Sequence, residues 1–215
     1  MNHIPLNQSQ EKTVTTMAKR YYNEKIKDNQ FKNNQRKFGI EIEFFITNND
    51  NILQIQSSPQ LIEKLKGHTI IPEYGSYQIE INPKPYRLHA QSYKELYDEI
   101  QHIRTLAEEI LKKQNYFLMP IGIPFSIEGI DFNNKNIITP KERYLISTNY
   151  FHKVNKPGSN LYFSNDETIN LPGNSGLSII NELHIHLQAL NAIEIIKLFN
   201  YSQMITAPFV SIAAN

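Results

Sequence analysis

Four segments of this chain place acidic, basic or imidazole side chains at spacings that suit metal and phosphate chemistry. In Phe38–Thr47 (FGIEIEFFIT), Glu41 and Glu43 stand two apart among Ile and Phe. A period of two puts both carboxylates on one face of a strand, with Ile40, Ile42 and Phe44 on the other. The two are then close enough to share a divalent cation. Hard oxygen donors suit Mg²⁺, which takes one or two carboxylates and fills its shell with water and substrate phosphates. A solvated strand face whose charges oppose edge pairing explains the same residues as well. Glutamate is disfavoured in strands, however, so two in succession need a reason.

Glu80 repeats the pattern in IPEYGSYQIEINPKP, again between two isoleucines and on the same face as Gln78. Glu73 precedes a Tyr-Gly turn that can fold it back toward the same place; alone, it reads as a solvated loop carboxylate. Several strand-borne carboxylates on one surface repel one another unless cations hold them. In NELHIHLQAL, His184 and His186 point to one face of a strand, and Glu182 shares that face. His-x-His is used by many metal sites but is also common in ordinary half-buried sheets. Arg143, in KERYL, sits near a helix start, where a guanidinium can clamp carboxylate or phosphate oxygens. A surface salt bridge is the commoner fate of such an arginine. Lys84 and Arg87 are two weaker candidates just after the Glu80 strand. The glycines at 158 and 173–176 match neither a P-loop nor a dinucleotide-binding loop.

Alternating and helical patterns supply the elements that must hold these residues. Strands are predicted at Phe38–Thr47, Thr69–Pro72, Tyr77–Asn82, Tyr116–Ile121 and Asn181–Leu190. Pro83 and Pro85 end the third of these. Helices are predicted around Thr13–Lys27 and at Ser58–Lys66, where Ser57 or Ser58 serves as cap ahead of Pro59. The clearest helix is His89–Lys113, with Leu96, Ile100, Ile103, Leu106, Ile110 and Leu111 at helical spacing. Lys141–Tyr150 follows Thr139 and Pro140 as cap and first-turn residue, and a further helix from Ala192 runs on past Pro208. Residues 155–178, rich in Gly, Pro, Ser and Asn, read as loops around a weak strand. The expected fold class is α+β with an antiparallel or mixed sheet. Residues 1–36 read as a polar lead-in, and residues 37–215 as the N-terminal part of one domain.

Composition narrows the function classes. The 215 residues carry 22 Lys+Arg against 21 Asp+Glu, a net charge of +1. That balance provides no basic field for nucleic acid and no polybasic membrane anchor, so neither partner is expected. The chain has no cysteine, which excludes a disulfide framework, a zinc ribbon and a thiol nucleophile. The N-terminal MNHIPLNQSQEKTV lacks the apolar core of a signal peptide, and no window is apolar enough to span a membrane. A cytoplasmic protein is expected.

In combination the segments are distinctive. FGIEIEFF resembles the Gly-x-Glu-x-Glu strand that opens the glutamate–cysteine ligase and carboxylate–amine ligase family. EYGSYQIEINPKP is similar to that family's second acidic strand, where an acidic residue precedes a glutamate by seven positions, as Glu73 precedes Glu80. ERY and the later ELHIHLQ resemble its arginine–tyrosine segment and its His-containing strand. MITAPFVSIAAN resembles the apolar helix that follows. These motifs occur in family order from Phe38 to Asn215.

The resemblance implies the N-terminal part of a glutamine-synthetase-like antiparallel sheet, with the rest of the domain beyond Asn215. It implies Glu41, Glu43, Glu73, Glu80 and His184 as metal ligands holding Mg²⁺ around ATP phosphates. Arg143 would contact a phosphate or the substrate carboxylate. The implied reaction phosphorylates a carboxylate, commonly the γ-carboxyl of glutamate, to an acyl phosphate that an amine such as cysteine attacks, as in glutathione biosynthesis. Because family members are longer, a second copy or a C-terminal partner chain is an expected partner, and His186 stands where members differ. Two other readings stay open. One is a metal-dependent hydrolase built on His184 and His186. The other is a non-catalytic binding domain or truncated remnant that kept the fold.

Overall fold

The computed structural model describes residues 8–27, 33–127, 130–131, 134–154, 159–162, 168–171 and 175–213. It is a mixed α+β fold whose main sheet has six strands. The chain divides into two compact units. The larger comprises Gly39–Pro85 and Ala90–Ile185; the smaller comprises the segment to Phe38, Tyr86–His89 and His186–Asn215.

The larger unit is organised around β1 (Lys37–Asn48), whose first two residues lie in the smaller unit. On one side β1 pairs antiparallel with β3 (Gln78–Ile81), which pairs antiparallel with β2 (Ile70–Pro72). The far end of β1 pairs with β5 (Tyr116–Met119), bringing Ile46 opposite Leu118. β8 (Leu183–Leu187) also pairs with β1. There the Glu43 N–H donates to the Glu182 carbonyl at 3.2 Å.

Alternation decides the two faces of this sheet. Phe44, Ile46, Ile79 and Ile81 are buried. So are Leu96, Ile100, Ile103, Ala107 and Leu111, which form one stripe of α3 (Ala90–Lys112), and α3 packs against β3 and β5. α2 (Ser57–Lys64) packs beside β2 and α3 and contributes Leu61. Burying each such aliphatic side chain is worth about 1.5–3 kcal/mol, so this layer anchors the strands. The other face changes character along β1. Phe45 belongs to an apolar cluster with Leu53, Tyr74, Tyr77, Ile137, Ile138, Tyr144 and Ile179. Glu43 and Glu41, further back on the same face by alternation, carry charge instead.

α4 (Glu142–Val154) brings Tyr144 to that cluster, and short 3₁₀ turns at Lys135–Ile137 and Ser175–Ile179 bring Ile137 and Ile179. β6 (Ser159–Tyr162) and β7 (Thr168–Leu171) form a separate two-stranded antiparallel sheet within the segment expected to be loops with a weak strand. Gly158, Gly173 and Asn174 lie outside the described residues.

In the smaller unit, Lys37 and Phe38 pair with β4 (Tyr86–Arg87), a short strand not predicted from sequence. Its helices are α1 (Gln8–Tyr21), which runs into a π-helical turn over Tyr22–Lys27, and α5 (Ala192–Ala213), which contains Pro208. Arg36 pairs with Glu194, whose other oxygen accepts the Leu190 N–H ahead of α5.

One expectation is corrected at α2. Ser57 and Ser58 lie inside the helix; the cap position is Gln56, left-handed at φ 63° and without a side-chain cap bond. The Ser57 hydroxyl donates instead to the Gln54 carbonyl at 2.5 Å, so it is not available to the helix start. Among the described residues no helix is long and apolar enough to cross a membrane.

Candidate metal centre

The β1–β3 register builds the acidic face. Glu43 stands directly opposite Glu80. Glu73 lies just past β2 in line with Gln78, to whose carbonyl its N–H donates at 3.4 Å. Strand parity therefore places Glu41, Glu43, Glu73, Glu80 and, across β1, Glu182 and His184 on one face. Glu43, Glu73 and Glu80 converge: each offers a carboxylate oxygen within 4.8 Å of the others.

The turn that aims Glu73 depends on Gly75. Its N–H donates to Gln78 Oε1 at 2.7 Å, and a Cβ at Gly75 would lie only 2.5 Å from that oxygen and 3.0 Å from the Ser178 carbonyl. Gln78 is fully buried and donates from Nε2 to the Ile180 carbonyl and to Asn181 Oδ1. Ser76 ties the same turn to the Asn136 carbonyl. The Tyr-Gly turn is thus pinned from three sides, and Glu73 emerges from a rigid base.

Each carboxylate has its own tether. Glu43 Oε2 accepts the Glu182 N–H at 2.8 Å. Glu73 Oε2 accepts the Tyr74 N–H at 2.9 Å, and the Tyr144 hydroxyl lies 3.1 Å from both Glu73 oxygens. Asn82 Nδ2 donates to Glu80 Oε1 at 2.9 Å and to Glu41 Oε1 at 3.0 Å. Glu41 Oε2 lies 3.0 Å from His184 Nδ1, and His184 Nε2 lies 2.5 Å from Glu182.

The electrostatics are those of crowded, desolvated anions. Glu43 and Glu80 are 8% and 5% exposed. Burial, with Glu73 and Glu182 adding repulsion, pushes the Glu43 carboxyl up to about 7. Burial and then Glu41 raise Glu80 as well. For His184, burial disfavours the imidazolium, but bonds to Glu182 and Glu41 outweigh it and raise its pKa. A divalent cation held by Glu43, Glu73 and Glu80 would offset the repulsion among those three carboxylates.

Two cations flank the cluster. Lys141 Nζ donates to the Pro72 carbonyl at 3.2 Å; burial and then Arg143 lower its pKa. The Arg143 guanidinium donates to the Tyr144 hydroxyl and lies 4.5 Å from that ring's centre. Tyr144 in turn stacks edge-on with Tyr74. Arg143 therefore adjoins the acidic face through Tyr144.

Of the residues singled out in the sequence, Glu41, Glu43, Glu73, Glu80, Glu182, His184 and Arg143 are brought together within the larger unit. His186 and Arg87 belong to the smaller unit, and Lys84 is exposed on the loop after β3. Asn82, Lys141 and Tyr144 were not selected from the sequence. Asn82 carried one usable signal, its place two residues after Glu80 on the same strand parity. No protein-family model, curated protein or solved structure matches the chain.

Proposed function

We propose that this chain is the metal-binding part of an ATP- and Mg²⁺-dependent carboxylate–amine ligase of the glutamate–cysteine ligase type, on a glutamine-synthetase-like sheet. The observation that carries the reading is the convergence of Glu43, Glu73 and Glu80 from three parts of one antiparallel sheet. The donor set is wholly carboxylate, which fits Mg²⁺ better than a soft-ligand metal. Motif order from Phe38 onward supplies the choice of ligase over other Mg²⁺ chemistry.

Bound there, Mg²⁺ would supply neutralising charge for nucleotide phosphates. The remaining work belongs to the protein. Glu43, Glu73 and Glu80 hold the cation site, while Glu41 and His184 extend the polar face beside it. Arg143 and Lys141 provide positive charge at its margin, where phosphoryl oxygens need stabilising. In the proposed reaction an oxygen of the substrate carboxylate, the γ-carboxyl of glutamate, takes the terminal phosphoryl group of ATP and ADP leaves. The amine nitrogen then attacks the acyl carbon, phosphate departs and the amine loses a proton.

The test is phosphate release by the purified chain with Mg·ATP, glutamate and a panel of amines including cysteine, with the amide product identified by mass spectrometry. Amide formation dependent on both ATP and Mg²⁺ supports the reading. Binding of Mg·ATP without turnover would point to a non-catalytic binding domain, and tight Zn²⁺ binding with ATP-independent hydrolysis to a metal-dependent hydrolase.

A further inference from the structure

Asn82 lies just past the end of β3, and a single nitrogen of its side chain serves two carboxylates. Nδ2 donates to Glu80 Oε1 at 2.9 Å and to Glu41 Oε1 at 3.0 Å. Continuing the β1–β3 register by one pair of residues places Asn82 opposite Glu41, as Glu80 stands opposite Glu43. The amide therefore joins two groups of donors. On one side is the Glu43–Glu73–Glu80 triad; on the other is Glu41 with His184.

The residue type matters. An amide NH₂ has two N–H bonds diverging from one nitrogen and carries no charge. It can satisfy two anions at once without adding a cation that would compete with a bound metal. A lysine here would neutralise the site, and an aspartate would add a further charge to it. The backbone of Asn82 is fixed independently, since its N–H donates to the Thr69 carbonyl at 2.8 Å and Pro83 follows. Proline restricts the backbone of the residue before it. The side chain thus hangs from a stiff support, and the bonds it makes set the rotation of both carboxylates.

We propose that Asn82 is a positioning residue of the cation centre, holding Glu80 and Glu41 in register so that the triad and the Glu41–His184 pair act as one site. This rests on the cation centre proposed above. Groups that orient metal ligands are commonly worth about 10–100-fold in metal affinity. Removing the amide takes away the bonds that tie Glu80 and Glu41 together, so their mutual repulsion acts unopposed between them while Glu41 keeps its contact with His184.

The experiment uses the full chain and Mn²⁺ as the probe, with affinity read by calorimetry and site geometry by the electron paramagnetic resonance of the bound ion. Asn82→Ala is expected to weaken Mn²⁺ binding about tenfold and broaden the spectrum. Its circular dichroism and metal-free melting should match wild type. Asn82→Ser, which keeps one donor, is expected to fall between the two. A second measurement needs no metal. Relative to wild type, the Asn82 side-chain amide resonances should move in both the Glu80→Ala and the Glu41→Ala proteins. Unchanged Mn²⁺ affinity in Asn82→Ala, or an amide resonance indifferent to both glutamate variants, overturns the inference and leaves the cation centre standing. A wild-type chain that binds no Mn²⁺ overturns both.

Discussion

Glu43 and Glu80 are direct cross-strand partners, both almost wholly withdrawn from solvent, and no basic side chain bonds either carboxylate among the described hydrogen bonds. Like charges directly opposite on a sheet are destabilising. Such a pair is costly unless something else binds between the carboxylates. Replacing Glu43 with Gln should therefore leave melting without metal unchanged or higher. It should reduce Mg²⁺ or Mn²⁺ affinity by at least about a hundredfold, since a lost ligand costs no less than a lost outer-shell partner. Paired calorimetric and thermal-melt titrations check both halves. A variant that binds as tightly as wild type would remove Glu43 from the centre.

The same desolvation fixes a pH dependence. Glu43 in the folded chain is raised to about 7, Glu80 is raised in the same direction, and His184 is raised above its ordinary value. A folded-state value above the unfolded one means that the folded protein holds its proton more tightly. The stabilisation is present below the unfolded value and is lost as pH rises through the folded one. Metal-free protein should accordingly be less stable at pH 8 than at pH 5.5 in denaturant titrations with chelator. Saturating Mg²⁺ favours the ionised carboxylates and should flatten or reverse that slope. A metal-free profile that rises over this interval contradicts the assignment.

Gly75 links turn packing to the site. A methyl group there meets the Ser178 carbonyl and Gln78 Oε1, and the Gln78 amide is itself held by the Ile180 carbonyl and Asn181. Gly75→Ala should cost about 1–3 kcal/mol, the usual range for overpacking, and should displace Glu73. The expected signature is a lower denaturation midpoint together with weaker Mn²⁺ binding. A fall in stability with unchanged affinity would show that Glu73 is aimed independently of the turn.

Tyr144 makes a separable contribution. Its hydroxyl lies within reach of Glu73 and accepts from Arg143, while burial pushes its pKa up to about 12, so it stays protonated at neutral pH. Tyr144→Phe keeps the ring that packs on Tyr74 but deletes the link. Mn²⁺ affinity should fall about tenfold with stability lowered by about 1 kcal/mol. Equal affinity would assign Tyr144 to packing alone.

Legibility followed the range of the interactions. Periodicity identified β1, β3 and α3 because alternation and helical stripes are written in neighbouring residues, and the same parity put Glu41 and Glu43 on one face. Glu73 could be read only as a residue ahead of a turn. Its arrival beside Glu43 depends on the Gly75–Gln78 bond and on pairing between distant strands. Asn82 and Tyr144 were missed for the same reason, since an amide bridge or a phenol tether exists only once register is fixed. At α2, Ser57 and Ser58 match the usual cap preference, yet the Ser57 hydroxyl donates to the Gln54 carbonyl. β4 is two residues long, too short for any period to show.

In the smaller unit, α5 carries a broad apolar surface. Ile193, Ile196 and Phe199 recur at helical spacing and are each more than 60% exposed, and Met204 is 75% exposed. Large exposed apolar patches are rare on soluble monomers, so self-association through this helix is the expected outcome. Each such side chain gains about 1.5–3 kcal/mol on full burial. Among the described residues, the polar side chains of this helix do not mask it: Glu194, Lys197, Asn200, Ser202, Gln203, Thr206 and Ser211 interrupt the apolar run without dividing it. The purified 25.1 kDa chain should therefore sediment as a dimer or larger species at micromolar concentration. Ile196→Glu together with Met204→Lys should shift it toward monomer without changing Mn²⁺ affinity, since neither residue belongs to the larger unit that holds the carboxylates. A wild-type chain that remains monomeric across that range would show that α5 is tolerated uncovered and that self-association plays no part in its stability.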